Sequence, residues 1–180
     1  MKKQFLLGVC AVLLSGSAIF AAGITGLPVD KAEFSKLHKS GYAIQIANSF
    51  DIAYYTDNHE YTIGVGGFTF DNHVNGSGST NGLSPEIFVR KNYALTSSSV
   101  VGFGAAVGTR IGQIDSVNIE NALHLKSYVF FEYAANPNVL LGASVALFDH
   151  NTYSWGGATP GATNTTTYLG GSSVQIAFLF

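Results

Sequence analysis

The chain has 180 residues, a formal net charge of −2 and only 11% charged residues, against 47% apolar and 13% aromatic ones. This length sets one domain as the prior, and so weak a charge excludes a basic nucleic-acid-binding face. No segment after the N-terminal one approaches the roughly 20 apolar residues of a helical membrane span, so the apolar residues have to be placed on strands.

The first stretch, "MKKQFLLGVCAVLLSGSAIFAAG", couples Lys2 and Lys3 to an apolar run over residues 5–20 and a small-residue exit at Ala21-Ala22. It reads as a secretory signal peptide, residues 1–22, too short and wrongly flanked for a spanning helix. Cys10, the one cysteine, lies inside it, so no disulfide framework is expected after export. Without Lys2 and Lys3, seven basic residues face 11 acidic ones.

Residues 23–40, "GITGLPVDKAEFSKLHKS", read as a helix, with Pro28 at the start, Asp30 and Glu33 early, and Lys36 and Lys39 late. Residues 41–180 read as strand-length runs. "GYAIQIANSFDIAYY" is one run with Tyr42, Ile44, Ile46, Phe50, Ile52 and Tyr54 on a single face. A two-residue turn at Asp57-Asn58 leads into "YTIGVGGFTF", and the polar loop "DNHVNGSGSTNG" follows. Next come "SPEIFVRKNYAL", the tight "TSSS" and "VVGFGAAVGTRI", then a loop around "QIDSVNIEN". "ALHLKSYVFFEY", the turn "ANPN" and "VLLGASVALF" form another hairpin. The longest loop, "DHNTYSWGGATPGATNTT", precedes the final run "SSVQIAFLF".

Short turns therefore alternate with long polar loops, the layout of an antiparallel up-and-down transmembrane β-barrel. Bacterial barrels have an even strand count. Seven runs are clear, and eight strands are expected, the eighth either an irregular strand within residues 23–40 or one concealed by the boundaries of the runs.

The parity of the charges assigns the faces. Val101, Phe103, Ala105, Val107 and Ile111 share an uncharged face opposite Gly102, Gly104, Ala106, Gly108 and Arg110. Leu123, Leu125, Val129, Phe131 and Tyr133 oppose His124, Lys126, Tyr128, Phe130 and Glu132. Glu86, Phe88, Arg90 and Asn92 oppose Ile87 and Val89, with Lys91 on the apolar side. Small residues beside large ones mark a crowded interior, so the charged face is expected inside and the apolar face outside, against lipid. A soluble β-sandwich or lipocalin-like barrel would invert this.

Centring the "TSSS" hairpin near Ser98 sets Glu86 opposite Arg110, with Arg110 near His124. The expected lumen charge cluster is Glu86, Arg90, Arg110, His124, Lys126 and Glu132. Tyr54 pairs with Tyr61 across the turn, and Tyr93, Tyr133, Phe178 and Phe180 reach the same rim as an aromatic girdle.

The terminal run, with Val174, Ile176, Phe178 and Phe180 alternating up to a last aromatic residue, resembles the C-terminal assembly signature of bacterial outer-membrane proteins. The mature chain resembles the small eight-stranded barrels of the OmpA/OmpX and opacity type. The resemblance implies assembly by the barrel-assembly machinery and contact with outer-membrane lipid and lipopolysaccharide. It also implies a role in envelope structure, surface interaction or narrow, porin-like passage of small solutes. A ligand would be met at loops 71–82 and 150–165.

Three alternatives have some chemical basis in the sequence. A barrel enzyme acting on lipid needs a nucleophile beside a base, but His124 points inward and Ser127 outward. Ser144 is expected beside Tyr128, four residues from His124, roughly 14 Å away. No catalytic residue and no cofactor are therefore expected. Asp71, His73, Asp149 and His150 are ligand types at the loop entrances, yet common loop residues, and no metal site is expected from them. A soluble exported ligand-binding barrel is the remaining rival.

Overall fold

The computed structural model describes residues 29–180 except 48, 69–70, 76–77, 115–116 and 157–159, and gives backbone alone for residues 71–81 and 114. The expected signal peptide lies outside the described residues. Asp30 caps helix α1 (Lys31–Leu37) by accepting from the backbone N–H groups of Ala32 and Glu33. The helical reading of residues 23–40 holds for this part.

Twelve strands follow: β1 (Gly41–Ile46), β2 (Phe50–Tyr55), β3 (Tyr61–Gly66), β4 (Asp71–Asn75), β5 (Gly78–Leu83), β6 (Glu86–Thr96), β7 (Ser99–Gly108), β8 (Ile111–Ile114), β9 (Val117–Asn136), β10 (Val139–Trp155), β11 (Gly161–Tyr168) and β12 (Ser172–Leu179). Eight of them, in the order β1-β2-β3-β6-β7-β9-β10-β12, close into an antiparallel barrel when β12 pairs with β1, Ala43 opposite Leu179.

The eighth strand comes from a run boundary and not from the helical segment. "GYAIQIANSFDIAYY" is a hairpin, not one run: the chain reverses between Ile46 and Phe50, where the Ala47 N–H bonds the Ser49 carbonyl. The three-residue connection conserves parity, so Tyr42 faces Tyr54 and Ile44 faces Ile52. Tyr42, Ile44, Ile46, Phe50, Ile52 and Tyr54 therefore share the outer face, which hid the turn in the pattern.

The long polar loops are also partly sheet. "DNHVNGSGSTNG" pairs as β4–β5, which joins β8 and the first residues of β9. β11 pairs with the upper half of β10. We call this end the upper end, and the end with the turns at residues 57–60, 97–98 and 137–138 the lower end.

The interior packs as the small-beside-large rule demands. A side chain at Gly104 would collide with the Tyr128 ring, one at Gly64 with Phe88, and one at Gly142 with Phe130. Gly104 lies opposite Arg90, Ala106 opposite Phe88 and Gly102 opposite Phe130. Phe88, Ala106, Tyr128, Phe130, Leu140 and Ala177 form the buried core, while Ile63, Ile87, Val107, Phe131 and Val145 stand exposed on the outside.

Candidate functional site

The expected cluster of six charges divides into two layers and an outlier. The lower layer centres on Glu132, which is completely buried. The Tyr55 hydroxyl donates to Glu132 Oε2 (2.8 Å) and accepts from Gln45 Nε2 (2.8 Å) and Arg90 Nη2 (3.4 Å). His59 places Nδ1 3.4 Å from Glu132 Oε1, while its Nε2 meets the Lys39 carbonyl at 2.8 Å. The Arg90 guanidinium lies 4.1 Å from the Phe130 ring centre and 5.3 Å from that of Phe88. A buried cation is tolerable there because aromatic faces and the Tyr55–Glu132 network compensate it.

Helix α1 closes this layer from below. Phe34 and His38 are buried and their rings stack at 3.9 Å, and His38 meets the edge of His59 at 4.8 Å. His38 Nδ1 lies 3.1 Å from the Phe34 carbonyl. Burial, and secondarily His59, push the His38 imidazole down from 6.5 to about 4, against the opposite pull of the Phe34 carbonyl and Glu132.

The upper layer joins Glu86, His124 and Asp149. His124 Nδ1 lies 3.3 Å from Glu86 Oε2, and Nε2 lies 3.2 Å from Asp149 Oδ1, close enough for an ion pair although not aligned for a hydrogen bond. Lys126 reaches over Tyr128, 5.5 Å from the ring centre. Above this layer a cavity of about 380 Å³ opens between β9, β10 and β11, lined by Arg110, His124, Asp149, Asn151, Tyr153 and Thr165 among others. It contains part of the expected ligand region 150–165. The side chains of residues 71–81 in the other expected loop lie outside the described residues.

Several expected pairings are corrected. The β6–β7 ladder is two residues out from the centring near Ser98: Glu86 faces Gly108 and Arg90 faces Gly104. Ser99 pairs with Thr96 across the turn at residues 97–98, which tightens the hairpin. Gly108 in turn faces His124, so histidine, not Arg110, is the neighbour of Glu86. Arg110 lies beyond the end of β7, with its guanidinium 5.4 Å from the Tyr153 ring centre.

Tyr54 faces Ile63, not Tyr61, because a short 3₁₀ turn at Asp57–His59 replaces the two-residue turn, with Asn58 and His59 at positive φ. Ser144 faces Phe130, not Tyr128, and is bonded to Ser173 at 2.8 Å. Both ring nitrogens of His124 face carboxylates.

Tyr54, Tyr61, Tyr93, Tyr133, Phe178 and Phe180 all lie toward the lower ends of their strands, and Tyr42 joins them with its ring 5.1 Å from Tyr54. Lys91, on the outer face, pairs with Glu60 and lies over the Tyr61 ring at 4.0 Å. Val174, Ile176, Phe178 and Phe180 form one exposed file on the outside of β12. Among the described residues no three His, Cys, Asp or Glu side chains gather as for a metal ion.

The sequence reading missed Tyr55, His59, Gln45 and His38. Gln45 and Tyr55 carry a signal, since with Ala43, Asp51 and Ala53 they form the small and polar file opposite the apolar one. His59 carries none, because its burial depends on the turn. Comparison with protein-family models, with curated proteins and with solved structures finds no match.

Proposed function

We propose that this chain is a small, non-enzymatic β-barrel of the bacterial outer membrane, an anchor that holds its upper sheet at the cell surface for envelope structure and surface interaction. The observation that carries this reading is the inverted distribution of side chains. Glu132, His59 and Arg90 lie inside at 0 to 2% exposure, whereas Tyr42, Ile46, Ile87, Phe131 and Val145 stand bare outside. In water that outer band would be an association-prone patch far larger than soluble monomers carry. In hydrocarbon it is at rest, and the pairing of β12 with β1 closes the sheet as a lipid setting requires.

The lower aromatic ring suits the membrane boundary, where amphipathic rings settle. Outer-membrane lipid, lipopolysaccharide and the barrel-assembly machinery are the partners of this reading, with residues 1–22 as its export signal. The resemblance to the OmpA/OmpX and opacity barrels supports it through architecture alone. The filled lower lumen favours anchorage over solute passage, and the cavity by Arg110 and Tyr153 is where a surface ligand would bind.

The test is expression in a Gram-negative host followed by fractionation and gel migration with and without boiling. The reading expects outer-membrane material whose migration changes on heating. A monomer recovered soluble from the periplasm would overturn it.

A further inference from the structure

The wall of the barrel has uneven height. β9 and β10 run for 20 and 17 residues, whereas β1, β2 and β3 have 6 each. Six residues extend roughly 20 Å, and a tilt of about 40° leaves roughly 15 Å of height, against an apolar band of about 25 Å. Tyr42, Tyr54 and Tyr61 hold these strands at the lower rim, so the shortfall falls at the upper end. The outward residues beside the β1–β2 turn, Ile46 and Phe50, are apolar and exposed, which suits a tip that ends among lipid chains rather than at a polar boundary.

The gap has defined sides. β12 pairs with β1 only over residues 176–179, so residues 172–175 have a partner strand on the β10 side alone. β11 follows β12 along β10, and β4 is the other end of the twelve-strand order. At the lip Val174 is 75% exposed.

Behind the gap lies a chamber of about 110 Å³ within the barrel, to which Ser49, Asp51, Arg90, Lys126, Ser173 and Gln175 contribute. Each of its carboxylates has one oxygen engaged: Asp51 Oδ1 accepts from the Ser49 hydroxyl and the Gly67 N–H, and Glu86 Oε2 lies against His124. Among the described residues Gln175 Nε2 and the Nε of buried Arg90 have no hydrogen-bond partner, and Lys126 has no carboxylate within ion-pair distance. Donors left without a partner, two of them on cations, suit an anion.

We infer that this chamber binds the anionic head group, phosphate or carboxylate, of a membrane amphiphile that enters sideways through the gap, with its hydrocarbon chain lying along Val174, Ile46 and Phe50. The inference rests on the membrane reading above. It differs from a surface ligand site in its entry route, from lipid and not from water.

The probe is dodecyl phosphate, titrated calorimetrically into the folded protein in neutral dodecyl maltoside micelles, with inorganic phosphate as the water-delivered control. One dodecyl phosphate should bind per chain, and loss of a charge-assisted contact in Lys126→Gln should weaken it about tenfold or more. Lys91→Gln, which alters an outer cation, should leave binding unchanged. Gln175→Leu is the second variant, expected to weaken binding several-fold, and unheated gel migration verifies that each variant is folded. Equal binding by folded Lys126→Gln and Gln175→Leu, or unsaturable uptake, would overturn the site. Inorganic phosphate binding as tightly as dodecyl phosphate would overturn the sideways entry. Failure to insert into vesicles would instead refute the membrane reading, whereas an inserted barrel that binds no dodecyl phosphate refutes this inference alone.

Discussion

Replacing Glu132 by Gln removes one charge from the lower lumen and keeps the shape. The Tyr55 hydroxyl, 2.8 Å from Glu132 Oε2, then meets a neutral amide, and the His59 contact at 3.4 Å loses its charge. Two charge-assisted contacts weaken in a site with no exposure to water. A hydrogen bond to a charged group contributes about 1.5–3 kcal/mol, and breaking a buried ion pair costs about 3–5 kcal/mol. No carboxylate lies within ion-pair distance of Arg90 among the described residues, and its link to Glu132 runs through Tyr55, so we expect about 2–3 kcal/mol for Glu132→Gln. The decisive term is the coupling. Arg90→Met alone leaves the carboxylate uncompensated, but in the double mutant neither charge remains. The double mutant should thus be more stable than the sum of the single losses by about 1–2 kcal/mol. Urea unfolding of all four proteins in lipid vesicles, followed by tyrosine fluorescence, measures the cycle. Losses that add within about 0.5 kcal/mol would refute a compensated lumen network.

Three further outcomes follow from the same geometry. Val107→Lys places a charge on the outer face and should cost about 2–4 kcal/mol in vesicle unfolding, and a harmless substitution would invert the assigned faces. Gly104→Ala forces a methyl group against Tyr128 and should cost about 1–3 kcal/mol in the same assay, with no loss if the ring is free to move away. His38, neutral when folded with a pKa of about 4 against 6.5 unfolded, takes up its proton later than the unfolded chain does. Stability should therefore fall as pH drops from about 6.5 to 4, by about 2–3 kcal/mol, a dependence that His38→Phe should flatten in urea titrations at pH 7.5 and 4.5.

Side-chain parity was legible because the strand period is two and the interior is narrow, so Gly102, Gly104 and Ala106 had to face Phe130, Tyr128 and Phe88 from other strands. The turn between Ile46 and Phe50 was not legible, since an odd-length connection keeps the even-numbered apolar file intact across both strands. Register failed where turn geometry decided it. A tight turn at residues 97–98 moved Glu86 from Arg110 to Gly108, and a 3₁₀ turn moved Tyr54 from Tyr61 to Ile63. The lower network was illegible for a related reason: Tyr55, His59 and Glu132 meet only after closure brings β2, the turn and β9 around one axis. Polar composition concealed β4, β5 and β11, because strands outside a core need no apolar alternation to pair.

Whether the outer face meets lipid is open to direct measurement. Nitroxide labels on single cysteines at Ile63, Val89, Phe131 and Val145 sample four separate strands of the barrel in lipid vesicles. The account predicts that all four collide freely with oxygen, which concentrates in hydrocarbon, and scarcely with a water-soluble nickel chelate. Ready collision with the nickel chelate at these positions would place the apolar face in water and contradict it.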